Sequence, residues 1–163
     1  MARRELFLRA LAMTRFLLGG PALLHALALG GPARQQLLGQ GASTITLLVL
    51  NQAPCTVPTP RTVIQAKLAY HLAAGEQSDY GFAVSIKFQT TTPGRTYSEG
   101  ELGIREITRR SDTLTIRYPL AAVWADARLR RPITCYFYLH RNTAPGRSRV
   151  VAQTPAIIFQ ECQ

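Results

Sequence analysis

The chain has 163 residues, of which 47% are hydrophobic, and it carries 19 basic against 9 acidic residues for a formal charge of +10. This length excludes two domains of ordinary size, and the apolar content removes any need for a metal to complete a core. The basic balance predicts attraction to anionic polymers or headgroups that weakens with salt.

Residues 1–33 read as a signal peptide or membrane anchor. Arg3, Arg4, Arg9 and Arg15 precede Phe16 to Ala33, a stretch with no acid, lysine or arginine. A positive start, an apolar middle and a small-residue end make an export signal. Ala26-Leu27-Ala28 and Gly31-Pro32-Ala33 both fit the cleavage pattern. Residues 16–33 are also just long enough to remain as an anchor, although Gly19, Gly20, Pro21 and His25 weaken that alternative. Either way the rest of the chain is expected outside the cytoplasm, as a periplasmic, cell-surface or secreted domain. That remainder keeps 15 basic and 8 acidic residues.

Residues 34–42 read as a linker and 43–163 as the folded domain. Ser43 to Leu50 is a β-branched run and predicts a first strand. Three prolines, Pro54, Pro58 and Pro60, surround Cys55 and predict a loop. In Val63 to Leu72, apolar Ile64, Ala66, Leu68, Tyr70 and Leu72 alternate with other residues, the period of a half-buried strand. Tyr80 to Gln89 repeats the pattern, with Tyr80, Phe82, Val84, Ile86 and Phe88 expected inward and Gly81, Ala83, Ser85, Lys87 and Gln89 outward. The short turn between them predicts an antiparallel hairpin.

Thr90 to Gly100 reads as loop and Leu102 to Thr108 as a weaker strand. Leu114, Ile116, Tyr118 and Leu120 mark a fifth strand, after which Ala121 to Arg131 admits one helical turn, with Trp124 covering a sheet edge. In the sixth strand Ile133, Cys135, Phe137 and Leu139 point in, while Thr134, Tyr136, Tyr138 and His140 point out. Asn142 to Gly146 is a hairpin loop, and Ser148 to Cys162 a last strand in which Pro155 predicts a bulge or a change of partner. About seven short strands predict an all-β fold, an immunoglobulin- or fibronectin-like antiparallel β-sandwich.

The three cysteines of an exported chain predict one disulfide and one spare thiol. Cys55 follows the first strand and Cys162 ends the last, which puts both at one pole; Cys135 lies mid-strand on the inward side. Cys55–Cys162 is therefore the favoured pair, with Cys55–Cys135 and the absence of any intramolecular bridge as the alternatives. Closing so long a loop is worth about 4–5 kcal/mol by chain entropy.

The outward stripe Tyr136, Tyr138, His140 is the candidate contact surface, because exposed aromatics offer large area at low entropy cost. Arg128, Arg130 and Arg131 are the candidate anion-binding group. All but two of the basic residues are arginines, and the guanidinium fork suits carboxylate, sulfate or phosphate, though a GC-rich genome produces the same skew. No nucleophile elbow, paired-cysteine zinc spacing or nucleotide loop occurs, and His71 and His140 lie on different strands. The expectation is a non-enzymatic binding or structural module of the cell envelope without cofactor or metal. The alternatives are a membrane-anchored accessory subunit and a hydrolase of envelope polymers. A protein partner, an anionic glycan or a lipid headgroup is the expected partner class. Nucleic acid is not, because stacking aromatics are lacking among the arginines in sequence.

Overall fold

A computed structural model describes residues 41–53, 55–99 and 101–161. The signal or anchor segment, most of the linker and Cys162 lie outside the described residues. The described residues are all-β with one short helix: β1 (Thr44–Leu50), β2 (Val63–His71), β3 (Phe82–Gln89), β4 (Thr96–Tyr97), β5 (Ile104–Ile107), β6 (Ser111–Pro119), α1 (Ala121–Trp124), β7 (Ile133–Ala144), β8 (Arg147–Gln153) and β9 (Ile157–Phe159).

Two antiparallel sheets share one core. The first has the order β1-β2-β6; the second runs β4-β3-β7-β8, with β5 also on β3 and β9 also on β7. Alternation places the core as the sequence predicts: Ile64, Ala66 and Leu68 of β2 are fully buried, as are Val84, Ile86 and Phe88 of β3 and Cys135, Phe137 and Leu139 of β7. Facing rings join the sheets, with Phe88 of β3 and Tyr118 of β6 at 5.2 Å between centroids. Each such side chain, once buried, contributes on the order of 1.5–3 kcal/mol.

The structure corrects the sequence reading in several places. β2 and β3 are not a hairpin but belong to different sheets. Their oily faces meet across the core instead of lying side by side, and the connection crosses the roughly 10 Å between layers. The Arg110 guanidinium holds that connection by donating to the carbonyls of Ala73 and Glu76, and the Leu72 amide donates to the Arg110 carbonyl at 2.7 Å. Tyr80 does not point inward; it precedes β3 and is 54% exposed. Gly81, at φ 77°, turns the chain between Tyr80 and Phe82 and breaks the alternation there.

β4 lies inside the predicted loop, too short to carry a pattern. β7 continues to Ala144, so the predicted hairpin loop shrinks to a tight turn at Pro145 and Gly146, the latter at φ 69°. The last strand does break near Pro155, but both halves, β8 and β9, stay on β7. At the break the Thr154 amide donates to the Phe137 carbonyl at 3.0 Å. The Thr154 hydroxyl in turn accepts from the Phe137 amide at 3.1 Å. A side chain thus stands in for the missing ladder bond.

Two substitutions test this account. Thr154→Val leaves the buried Phe137 amide without an acceptor and should cost about 1–3 kcal/mol in urea unfolding, with Thr154→Ser close to wild type. Equal midpoints for Val and Ser would refute the bond's role. A methyl group at Gly103 would sit 2.5 Å from Ile86 Cγ2 and 3.0 Å from the Tyr118 ring. Gly103→Ala should therefore cost about 1–3 kcal/mol through overpacking; a wild-type midpoint would show that the core yields there.

Candidate functional site

The β3–β7 ladder has a second face. Ser85 pairs with Tyr138 and Lys87 with Tyr136, so these side chains share the surface turned away from the core. The outward residues of β3 were expected in solvent, yet Ala83, Ser85 and Gln89 are buried, as are Thr134 and His140 of β7. On this face the His140 ring meets the Ser85 hydroxyl, and Tyr138 stands opposite Ser85 in the ladder. Tyr136, Tyr138 and His140 form a tilted ladder, with centroids 6.0 Å and 5.9 Å apart in succession. Tyr136 and Tyr138 are partly exposed, while His140 is closed in.

Every buried polar group on this face has a partner. His140 Nε2 lies 2.7 Å from the Ser85 hydroxyl and its Nδ1 lies 3.3 Å from that of Ser148. Tyr136 Oη donates to Gln89 Oε1 at 3.1 Å, and Gln89 Nε2 donates to the Arg95 carbonyl at 3.0 Å. Lys87 Nζ donates to Ser98 Oγ at 2.8 Å. Burial, with the Lys87 charge nearby, pushes the His140 pKa down to about 4. Burial also lowers that of Lys87. Ser85 is 1% exposed, so the Ser85–His140 pair is out of a substrate's reach and serves as a lock between strands.

Beside this ladder, where the β7–β8 turn approaches β5, an open pocket of about 420 Å³ is lined by Tyr80, Lys87, Ile104, Asn142, Arg147 and Ser148, among others. Sequence reading missed it. Lys87 was recognised only as outward, and nothing local brings residues 80, 104 and 147 to one place. The usable signal was a lysine between the apolar residues Ile86 and Phe88 of β3.

The arginine group lies elsewhere, after β6 and α1. Arg128 is held in a fork by Asp126, with Nη2 2.6 Å from Oδ2, and its guanidinium lies 4.8 Å from the Tyr97 ring centre. The contact with Asp126 raises the Arg128 pKa and lowers that of the carboxyl. Arg131 lies over Trp124 at 4.2 Å. The fold therefore supplies the aromatics that the sequence seemed to lack there, but each ring is capped by its own arginine. Arg130 is exposed, and its amide donates to the Gln89 carbonyl. Two of the three guanidiniums are thus already engaged within the chain.

Cys135 is free and buried, with its thiol pushed up to about 12 by desolvation, an inert core residue. That removes the Cys55–Cys135 alternative. His71 Nδ1 lies 2.6 Å from the Ser111 hydroxyl, in the sheet opposite His140. Among the described residues no three histidine, cysteine or acidic side chains converge on a metal position. None of the helices described is long and apolar enough to cross a membrane. Comparison with protein-family models, curated proteins and solved structures finds no match.

The closed histidine makes stability depend on pH. An unfolded histidine takes up a proton near 6.5, but the folded site resists until about 4. Between those values the unfolded state binds more protons, so stability falls as pH drops through that window. The full loss, reached only below about pH 4, is about 1–3 kcal/mol once solvent screening is allowed for. Urea midpoints from pH 7 to 4 should fall more steeply for wild type than for His140→Gln; parallel curves would refute the assignment.

Proposed function

We propose that this chain is an exported, non-enzymatic binding module of the cell envelope, and that its contact surface is the outer face of the β3–β7 ladder. The observation that carries this is the pair of partly exposed rings, Tyr136 and Tyr138, on a hydrogen-bonded platform beside an open pocket. Rigid aromatics beside a concavity combine area with little ordering cost. A protein of the envelope or an anionic glycan is the partner class that suits a ring-bearing face with cations at its edge. Export rests on the N-terminal segment, as a cleaved signal or as an anchor at residues 16–33.

The sheet order supports an immunoglobulin- or fibronectin-like sandwich. β1, β2 and β6 correspond to strands A, B and E of one layer. β3, β7 and β8 with β9 correspond to C, F and G of the other, and β4 and β5 extend the C edge. In that arrangement Cys55 and Cys162 are the pair left for a disulfide, since Cys135 is spent in the core.

Retention on isolated envelope tests the surface. The double variant Tyr136→Ala/Tyr138→Ala should lose at least tenfold, as central aromatics do. The triple variant Arg128→Gln/Arg130→Gln/Arg131→Gln should stay within about threefold at physiological salt. The opposite ranking would move the contact surface to the arginine pole. N-terminal mass spectrometry of the same material should show a start near Leu29 or Arg34, or an intact anchor in the membrane. Full-length chain soluble in the cytoplasm would overturn the export reading.

A further inference from the structure

Lys87 is the unusual charge among the described residues. It lies mid-strand, partly buried, and spends one of its three ammonium donors on Ser98. The ion pairs among the described residues are Arg109–Asp112, Arg128–Asp126 and Arg141–Glu76, none of which involves Lys87 or Arg147. No aspartate or glutamate lines the pocket that Lys87 faces. Glu106, the acid on the same face of β5, stands opposite Ala83, roughly 13 Å along the ladder from Lys87. Glu99, next to Ser98, acts on Tyr97, Tyr118 and Arg128 instead. A desolvated cation without a counter-charge is costly, and a pocket that keeps one is prepared for an anion.

The remaining walls narrow the class. Tyr80 and Ile104 present exposed apolar surface, 54% and 37% respectively. Ser148 brings a hydroxyl and Arg147 a second cation at the rim. An aromatic wall facing a cation and hydroxyls suits a ring with one C–H face, several hydroxyls and one negative group. The volume of about 420 Å³ falls at the small end of the ~300–1,000 Å³ of small-molecule sites.

We propose that this pocket binds the sugar-acid residue of an anionic glycan, its negative group on Lys87 and Arg147 and its ring against Tyr80. The proposal rests on the reading of this face as the contact surface and names what part of that surface recognises.

An NMR titration of the described domain's amides within the full chain at pH 7 tests it, with D-galacturonate as the probe. Galacturonate should give saturable shifts at residues 80, 87 and 148, with millimolar affinity. D-galactose should bind at least tenfold more weakly. Lys87→Gln should cost at least tenfold, Lys87→Arg no more than about threefold, and Arg131→Gln less than twofold. Overlaid spectra away from the pocket confirm that each variant is folded. No saturable shift in wild type, or equal affinity in wild type and Lys87→Gln, overturns the proposal. So does displacement of galacturonate by inorganic sulfate or phosphatidylglycerol vesicles at equal charge concentration, which would make the site one for anions at large. If galacturonate fails while Tyr136→Ala/Tyr138→Ala still abolishes envelope retention, the pocket proposal falls and the contact-face reading stands. If galacturonate binds through Lys87 while retention ignores the tyrosines, the broader reading falls instead.

Discussion

The register of β3 against β7 is the constraint on which both the core and the surface depend. With Val84 opposite Leu139, Ile86 opposite Phe137 and Phe88 opposite Cys135, apolar side chains from the two central strands of the second sheet meet the first sheet. The same register sets Ser85 opposite Tyr138 and Lys87 opposite Tyr136 on the other side. A slip by one residue would exchange the faces, sending Lys87 into the core and Phe88 into water. Phe88 against Tyr118 forbids the slip from inside, and Ser85 against His140 forbids it from outside.

That double coverage explains what could be read in the chain. The inner face follows from alternation alone, because burial of every second side chain leaves a mark in the sequence; the strands around Leu68, Ile86, Ile116 and Phe137 were found that way. Pairing leaves a weaker mark. The connection from Leu72 to Gly81 is equally long for a hairpin and for a crossing between sheets, and what decides is the bonding of Arg110 and Leu72 to each other's segments. The outer face left almost none. Tyr136 and Tyr138 were legible as a stripe, but Tyr80, Ile104 and Arg147 come from three separate strand connections and edges, and only the fold assembles them with Lys87.

The two basic regions differ in what their charges already do. At the pole after β6, Asp126 neutralises Arg128 and Trp124 carries Arg131, so these guanidiniums help fasten the segment that follows α1. A salt bridge so exposed adds little to stability, but it does occupy the fork that would otherwise grip a ligand. At the other pole Arg141 meets Glu76 at 3.3 Å. Two of the three arginines in the cluster after β6 therefore already have partners within the chain. Lys87, partly buried, and Arg147 line a concavity and enter none of the ion pairs among the described residues.

A face built on strands has its geometry set more firmly than one built on loops. Here the outer face is held from three directions. Ser85 and Ser148 fix the His140 ring between β3 and β8, Gln89 ties Tyr136 toward the loop before β4, and Ser98 holds the Lys87 ammonium from just beyond β4. Thr154 keeps β8 and β9 on the far edge of β7 where the ladder would otherwise open. Each of these bonds adds about 1 kcal/mol or less to net stability, and a hydrophobic face would do as well for folding alone. Their common effect is to hold two rings and one cation in fixed relation, which is the property that recognition of a small rigid group requires.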